Sequence, residues 1–424
     1  MGIRRTHGRH RTDDGTTGMT DVKNYACVTA SYWGFTLSDG ALRMLVLLHF
    51  HHLGYTPLDL AFLFLLYEAM GILTNFIGGW IGARFGLRLT LFVGLSVQIF
   101  ALIMLSLLQA DWAMSLSVAY VMAAQALSGI AKDLTKMSSK SAVKLVVSDE
   151  GLLFKWVSLL TGSKNALKGI GFFLGGLLLE TLGFQLALWV MAGVLGFILL
   201  IALNLIHGEL GKAKSKITGK DLFSKSREIN ILSFARIFLF ASRDVWFVVA
   251  IPVFFAEKLG WNFNQIGFFM AAWIVGYGII QAFVPRLSKQ TTDAQSGAQA
   301  AMLWGFILLI LPVSMTLGCL FLPDYIVWIL ISGLLIFALA FAVNSSLHSY
   351  LIVSFSDADK VSLSVGFYYM ANAIGRLIGT LLSGLVYQWA GLEACLGVSA
   401  IMVLIAASSM ILLNKKPSLQ SKGT

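Results

Sequence analysis

Four lysines recur at every fourth position in SGIAKDLTKMSSKSAVKLV (residues 128–146): Lys132, Lys136, Lys140 and Lys144. On a helix a step of four residues turns about 400°, so they form one stripe that drifts about 40° per step. A second pair, Lys164 and Lys168 in TGSKNALKG, shares a face at the same spacing, with Asn165 beside it. FARIFLFASRDVW supplies Arg236 and Arg243, seven apart and hence on one face, and GFYYMANAIGRLIG adds Asn372 and Arg376. Guanidinium forks match oxyanions bidentately, and ammonium groups add mobile point charges. Together such residues could capture a multiply charged anion. Lys140 and Lys144, at the end of their segment, could instead reach out to polar headgroups.

Acidic groups in the same apolar surroundings number four: Asp39, Glu68, Asp133 and Asp244. Asp39 and Arg43 lie four apart, a spacing that suits an ion pair on one helix. Asp133 is placed to neutralise one of its neighbouring lysines. Glu68, alone in FLFLLYEAMG, is the foremost proton-carrier candidate. Asp39, Asp133, Asp244 and His348 (NSSLHSYLIV) are the others, imidazole being the side chain that exchanges protons most readily near neutrality. His49, His51 and His52 crowd the end of one apolar run and suit an interface better than a metal. Cys27, Cys319 and Cys395 stand singly, without zinc or disulfide spacing. Neither a metal nor a cofactor is expected.

The segments that must position these groups are membrane spans. The 424 residues are 57% hydrophobic and only 12% charged, against about 25% charged in soluble domains. Runs such as FQLALWVMAGVLGFILLIALNLI reach the roughly 20 residues a helix needs to cross a bilayer. Apolar stretches fall at 25–51, 58–82, 89–109, 113–146, 152–180 and 184–206, then 229–256, 263–284, 300–322, 325–355, 361–389 and 392–413. The expectation is an all-α polytopic membrane protein of twelve transmembrane helices in two six-helix bundles, 22–206 and 229–413. Residues 207–228 form the linker, with an unstructured extension at 1–21 and a tail at 414–424.

Of the 31 Lys and Arg, nineteen fall in the tails, the linker and the loops on its side, while the opposite loops hold only Lys258. That bias predicts both termini and the linker in the cytoplasm. It also explains a net charge of +10 without nucleic acid. The remaining eleven lie within the spans, seven more than the four acids in the span interiors. An ionised group at the bilayer centre costs about 2.5–3.5 kcal/mol on insertion scales, so these groups must face a hydrated cavity or a bound anion.

The halves resemble each other. Phe35, Asp39 and Leu53-Gly54 set against Phe240, Asp244 and Leu259-Gly260. Parallel six-span repeats with a site near the midplane are the plan of major facilitator transporters. GGWIGARFGLRLTL resembles their G-x-L-a-D-r-x-G-r-k gating loop through Gly79, Ile81, Arg84, Gly86 and Arg88, with Ala83 where the pattern has Asp. GFFLGG (171–176) is similar to the antiporter pattern G-P-x-x-G-G, with Phe172 for Pro.

A narrower likeness runs over residues 22–413, in YWGFTLSDGALRMLVLLHF, AAQALSGIAKDLTKMSSKSAVKL, LLTGSKNALKGIGFFLGG and FSKSREINILSFARIFLFASRDVWFVVAIPV. These resemble the organoarsenical efflux permeases of the ArsJ type. The resemblance implies export of 1-arseno-3-phosphoglycerate from a bacterial inner membrane. It also implies a functional link to glyceraldehyde-3-phosphate dehydrogenase, which would make that ester from arsenate, and hence arsenate resistance. The alternative is an organophosphate or inorganic oxyanion antiporter of the same fold. Neutral arsenous acid as cargo would need no lysines. Hydrolysis of ATP and membrane-enzyme chemistry are disfavoured, because no phosphate loop, G-x-S-x-G or H-E-x-x-H motif is present.

Overall fold

The computed structural model describes residues 14–85, 87–109, 111–146, 150–206, 226–287, 294–356 and 361–414. Apart from one short 3-10 turn at Pro323–Tyr325, the regular structure among them is α-helical. That outcome follows from the solvent: with no water in the bilayer to pair backbone N–H and C=O groups, each span must satisfy its own.

The N-terminal half contains α1 (Asp14–His52), α2 (Pro57–Phe85), α3 (Leu87–Ser106), α4 (Met114–Val146) and α5 (Glu150–Leu205). The C-terminal half contains α6 (Arg227–Phe247), α7 (Ala250–Leu259), α8 (Phe263–Leu287), α9 (Ala294–Phe321), α10 (Ile326–Ser354) and α11 (Val361–Asn414). Helices α5 and α11 each fold back at a glycine, Gly183 (φ 75°) and Gly391 (φ 75°), so each crosses the membrane twice. Only glycine adopts that left-handed backbone without steric cost. α6 and α7 together make one broken span. Among the described residues the count is twelve crossings, as the apolar pattern predicts.

α1 reaches back to Asp14, so residues 14–21 of the expected unstructured extension are helical. Adding a turn to an existing helix is far easier than nucleating one. The linker at 207–228 lies almost wholly outside the described residues.

Equivalent turns cap equivalent helices in the two halves. Gly54 (φ 83°) and Gly260 (φ 65°) end α1 and α7 in left-handed caps. Thr56 then exchanges hydrogen bonds with Asp59 to start α2, as Asn262 does with Gln265 to start α8. These two turns mark one end of the molecule, the turn end. Trp328 and Trp389, about three-quarters exposed, sit there, where an apolar ring carrying one N–H suits the membrane surface.

The halves close on each other at the turn end. Gly384 of α11 backs directly onto Pro57 and Ala61 of α2, and Leu58 N–H donates to Gln388 Oε1 at 3.0 Å. Gly176 of α5 lies against Phe263 of α8, where an added Cβ would come within 2.5 Å of the Phe263 carbonyl.

Candidate functional site

Five charged groups from four helices form a chain across the line between the halves. Arg43 Nη1 (α1) donates to Glu68 Oε1 (α2) at 3.0 Å, and Arg376 Nη2 (α11) donates to the same oxygen at 2.5 Å. Arg376 Nε lies 3.6 Å from Asp244 Oδ2 (α6), whose other oxygen accepts from Arg243 Nε at 2.6 Å.

A second strand of the network joins this chain through Tyr67. Its hydroxyl donates to Asp39 Oδ1 at 2.6 Å, and Lys168 Nζ (α5) is 3.8 Å from Asp39 Oδ2. The Tyr67 ring carries Lys132 Nζ (α4) 4.1 Å from its centroid and the Arg43 guanidinium at 5.6 Å. Aromatic faces attract cations through the ring quadrupole, most strongly where water is excluded.

Lys136 is bound to Asp133 Oδ1 (3.1 Å) and Asn75 Oδ1 (2.6 Å), and stacks over Tyr369 of α11 at 5.1 Å. Thr74 Oγ1 and Asn75 Nδ2 hold the other Asp133 oxygen. On the far side of α11, Arg236 Nε donates to Asn372 Oδ1 (2.9 Å) and Nη1 to Ser345 Oγ (3.0 Å). Arg236 and Arg243 both stack on Phe240, at 4.0 and 4.8 Å, as their seven-residue spacing requires.

Close helix packing makes these encounters possible. Gly171 and Gly175 let α5 approach the backbone of α1 at Leu37 and Ala41, and Gly375 and Gly379 let α11 approach α6 at Ile237 and Ala241. These are small-x-x-x-small contacts, which allow helix backbones to close in lipid. The GFFLGG segment thus positions Lys168 against Asp39. GRLIG does the same for Arg376 against Asp244.

Seven cations surround four carboxylates in this region. The carboxylates are the hidden partners, with side chains at most 7% exposed, while five of the cations in ion pairs show 12–18%. Lys132 and Arg236 have no carboxylate within ion-pair distance among the described residues. Arg43 Nη2, although buried, has no hydrogen-bond partner among the described residues.

The structure redistributes several sequence expectations. Asp39 does not pair with Arg43, because Glu68 on α2 and Lys168 on α5 reach them first. Glu68 is not an isolated carboxyl but the acceptor for two guanidinium groups. Asn165 donates to Gln281 of α8 at 3.0 Å, a contact between the halves. Buried His348 lies beside Asn344, Gly305 and Met410 inside the C-terminal half, and its Nδ1 has no partner among the described residues. Lys164 is half-buried on α5. The side chains of Lys140, Lys144, Lys155 and Arg84, along with Gly79 and Gly86, lie outside the described residues or side chains. Arg88 stacks on Phe92 at 5.3 Å. Tyr67, Asn75, Ser345 and Tyr369 are participants the charge pattern alone did not single out. Tyr67 is the one with a local signal, since it adjoins Glu68, the lone acid of FLFLLYEAMG.

A family model described as the Major Facilitator Superfamily matches residues 26–246 and 232–424. The chain belongs to that superfamily. This major facilitator protein also resembles solved transporters in fold. A bacterial homologue of the iron transporter ferroportin, in its inward-facing state, superposes with a TM-score of 0.67 at 15% identity, covering 94% of this chain and 99% of that one. The human organic anion transporter MFSD10 (TETRAN) gives 0.62 at 17% identity, covering 92% and 99%. No curated protein matches. The chain is a multi-pass membrane transporter of the major facilitator type, taking a small-molecule substrate.

Proposed function

We propose that this transporter exports a small polyanionic organoarsenical, 1-arseno-3-phosphoglycerate, by alternating access, and so confers arsenate resistance. It would work in a bacterial inner membrane with both termini cytoplasmic, consuming the ester that glyceraldehyde-3-phosphate dehydrogenase makes when arsenate replaces phosphate. The observation that carries the polyanion is the imbalance of the buried network: among the described residues Lys132 and Arg236 have no carboxylate within ion-pair distance, and Arg43 Nη2 has no hydrogen-bond partner. Buried cations in such a state are costly until an anion joins them. The arsenic ester itself rests on the likeness of the quoted segments to the organoarsenical permeases.

Counterflow in vesicles tests both levels. Exchange of 3-phosphoglycerate and the arseno-ester, with inorganic phosphate moving poorly, is the expected result. Phosphate exchanging as well as the esters would assign the protein to oxyanion antiport. In cells lacking the dehydrogenase the transporter should give no arsenate protection; protection there would mean direct arsenate export.

A further inference from the structure

We infer that Glu68 is a built-in competitor for the substrate: it occupies the Arg43–Arg376 pair, which is the primary oxyanion subsite, whenever cargo is absent. This rests on the polyanion reading above.

Three observations point the same way. First, a single oxygen, Glu68 Oε1, accepts from guanidinium groups of opposite halves, 3.0 Å to Arg43 and 2.5 Å to Arg376. A carboxylate held between two forks is the arrangement an incoming phosphate or carboxylate oxygen would itself adopt. Second, donor capacity remains at that place, because Arg43 Nη2 is buried and has no partner among the described residues. Third, Glu68 breaks the internal symmetry. The capping turns pair Thr56 with Asn262, an offset that carries Glu68 onto Ile274, a buried apolar residue. Asp39–Lys168 and Asp244–Arg376, by contrast, recur in both halves. The repeated pairs hold helices together, whereas the Glu68 bridge is an addition to that scaffold.

The physical consequence is twofold. A pocket of uncompensated cations would grip a multivalent anion so tightly that release would limit transport; an internal carboxylate keeps binding weak enough to leave. The same carboxylate ties α2 to α11, so cargo that takes Arg376 loosens a bond between the halves. Only a ligand with different affinity for the two states can shift their balance, and this competition supplies that difference.

The test measures binding of 3-phosphoglycerate and inorganic phosphate to purified protein in lipid nanodiscs, with exchange measured in vesicles. Glu68→Gln should bind 3-phosphoglycerate about tenfold more tightly or better, the scale of one charge-assisted hydrogen bond, and exchange it more slowly. Glu68→Ala should accept formate in the vacated place, so that formate competes with 3-phosphoglycerate and raises the melting temperature. Wild type should show neither effect. A folded Glu68→Gln that binds equally or more weakly overturns the inference, as does a Glu68→Ala protein indifferent to formate. Wild type that binds neither probe defeats the polyanion reading itself; wild type that binds, with variants unchanged, defeats only the role of Glu68.

Discussion

The cations of the network divide into those with a carboxylate and those without, and the two kinds should respond differently to mutation. Asp133 ties Lys136 to α2 through Thr74 and Asn75. Asp133→Asn takes the carboxylate from a mostly buried ammonium and should cost up to about 3–5 kcal/mol, the usual penalty for breaking a buried ion pair. Lys132→Gln breaks no ion pair, so thermal unfolding in detergent should change little, while 3-phosphoglycerate binding should drop by about tenfold. A Lys132→Gln protein that melts far below wild type would show the lysine to be structural. At this scale the sequence was legible in types but not in partners. Spacing placed Arg236 and Arg243 on one face, and they share Phe240. Spacing also favoured Asp39 with Arg43, and there it misled, since the competing Glu68 and Lys168 come from helices far along the chain.

Among elements, the fold-backs at Gly183 and Gly391 coincide with the gaps at 180–184 and 389–392 that the apolar pattern leaves. The break between α6 and α7 was hidden inside an unbroken apolar run. Its local cause is Pro252, which has no N–H to bond the Val248 carbonyl and whose ring crowds it. Its remedy is not local. Ser383 Oγ of α11 accepts hydrogen bonds from both Val249 N–H and Ala250 N–H, each at 3.1 Å. No periodicity in residues 229–256 could reveal a partner so far along the chain. Ser383→Ala strands two buried donors and should destabilise the protein by about 1–3 kcal/mol, measurable as a lower unfolding midpoint. Ser383→Thr, which keeps the oxygen, should recover most of it. An alanine variant as stable as wild type would mean that the break is satisfied some other way.

The whole molecule is a repeat whose halves share one acid–base pair. Lys168 and Arg376 are 208 residues apart, as are Gly183 and Gly391, and Asp39 corresponds to Asp244. Each half therefore contributes one acid and one base from matching helices, and the faint alignment of Phe35 and Asp39 with Phe240 and Asp244 was the trace of this. Alternating access requires the halves to part at whichever end they are closed. In this structure they meet at the turn end, where α2 packs on α11 and α5 on α8. Half-buried Leu58 and exposed Gln388 touch across that seam, so a covalent link between them should hold it shut. In a background with Cys27, Cys319 and Cys395 replaced, Leu58→Cys/Gln388→Cys joined by a short bis-maleimide should abolish 3-phosphoglycerate exchange in vesicles. Each single cysteine carrying the reagent should retain it. Binding from the opposite side should survive in the linked protein, because the Arg43–Arg376 subsite is untouched. Exchange at the wild-type rate in a fully cross-linked protein would mean that the turn end does not open during the cycle, and the Glu68 bridge could then not be what its opening releases.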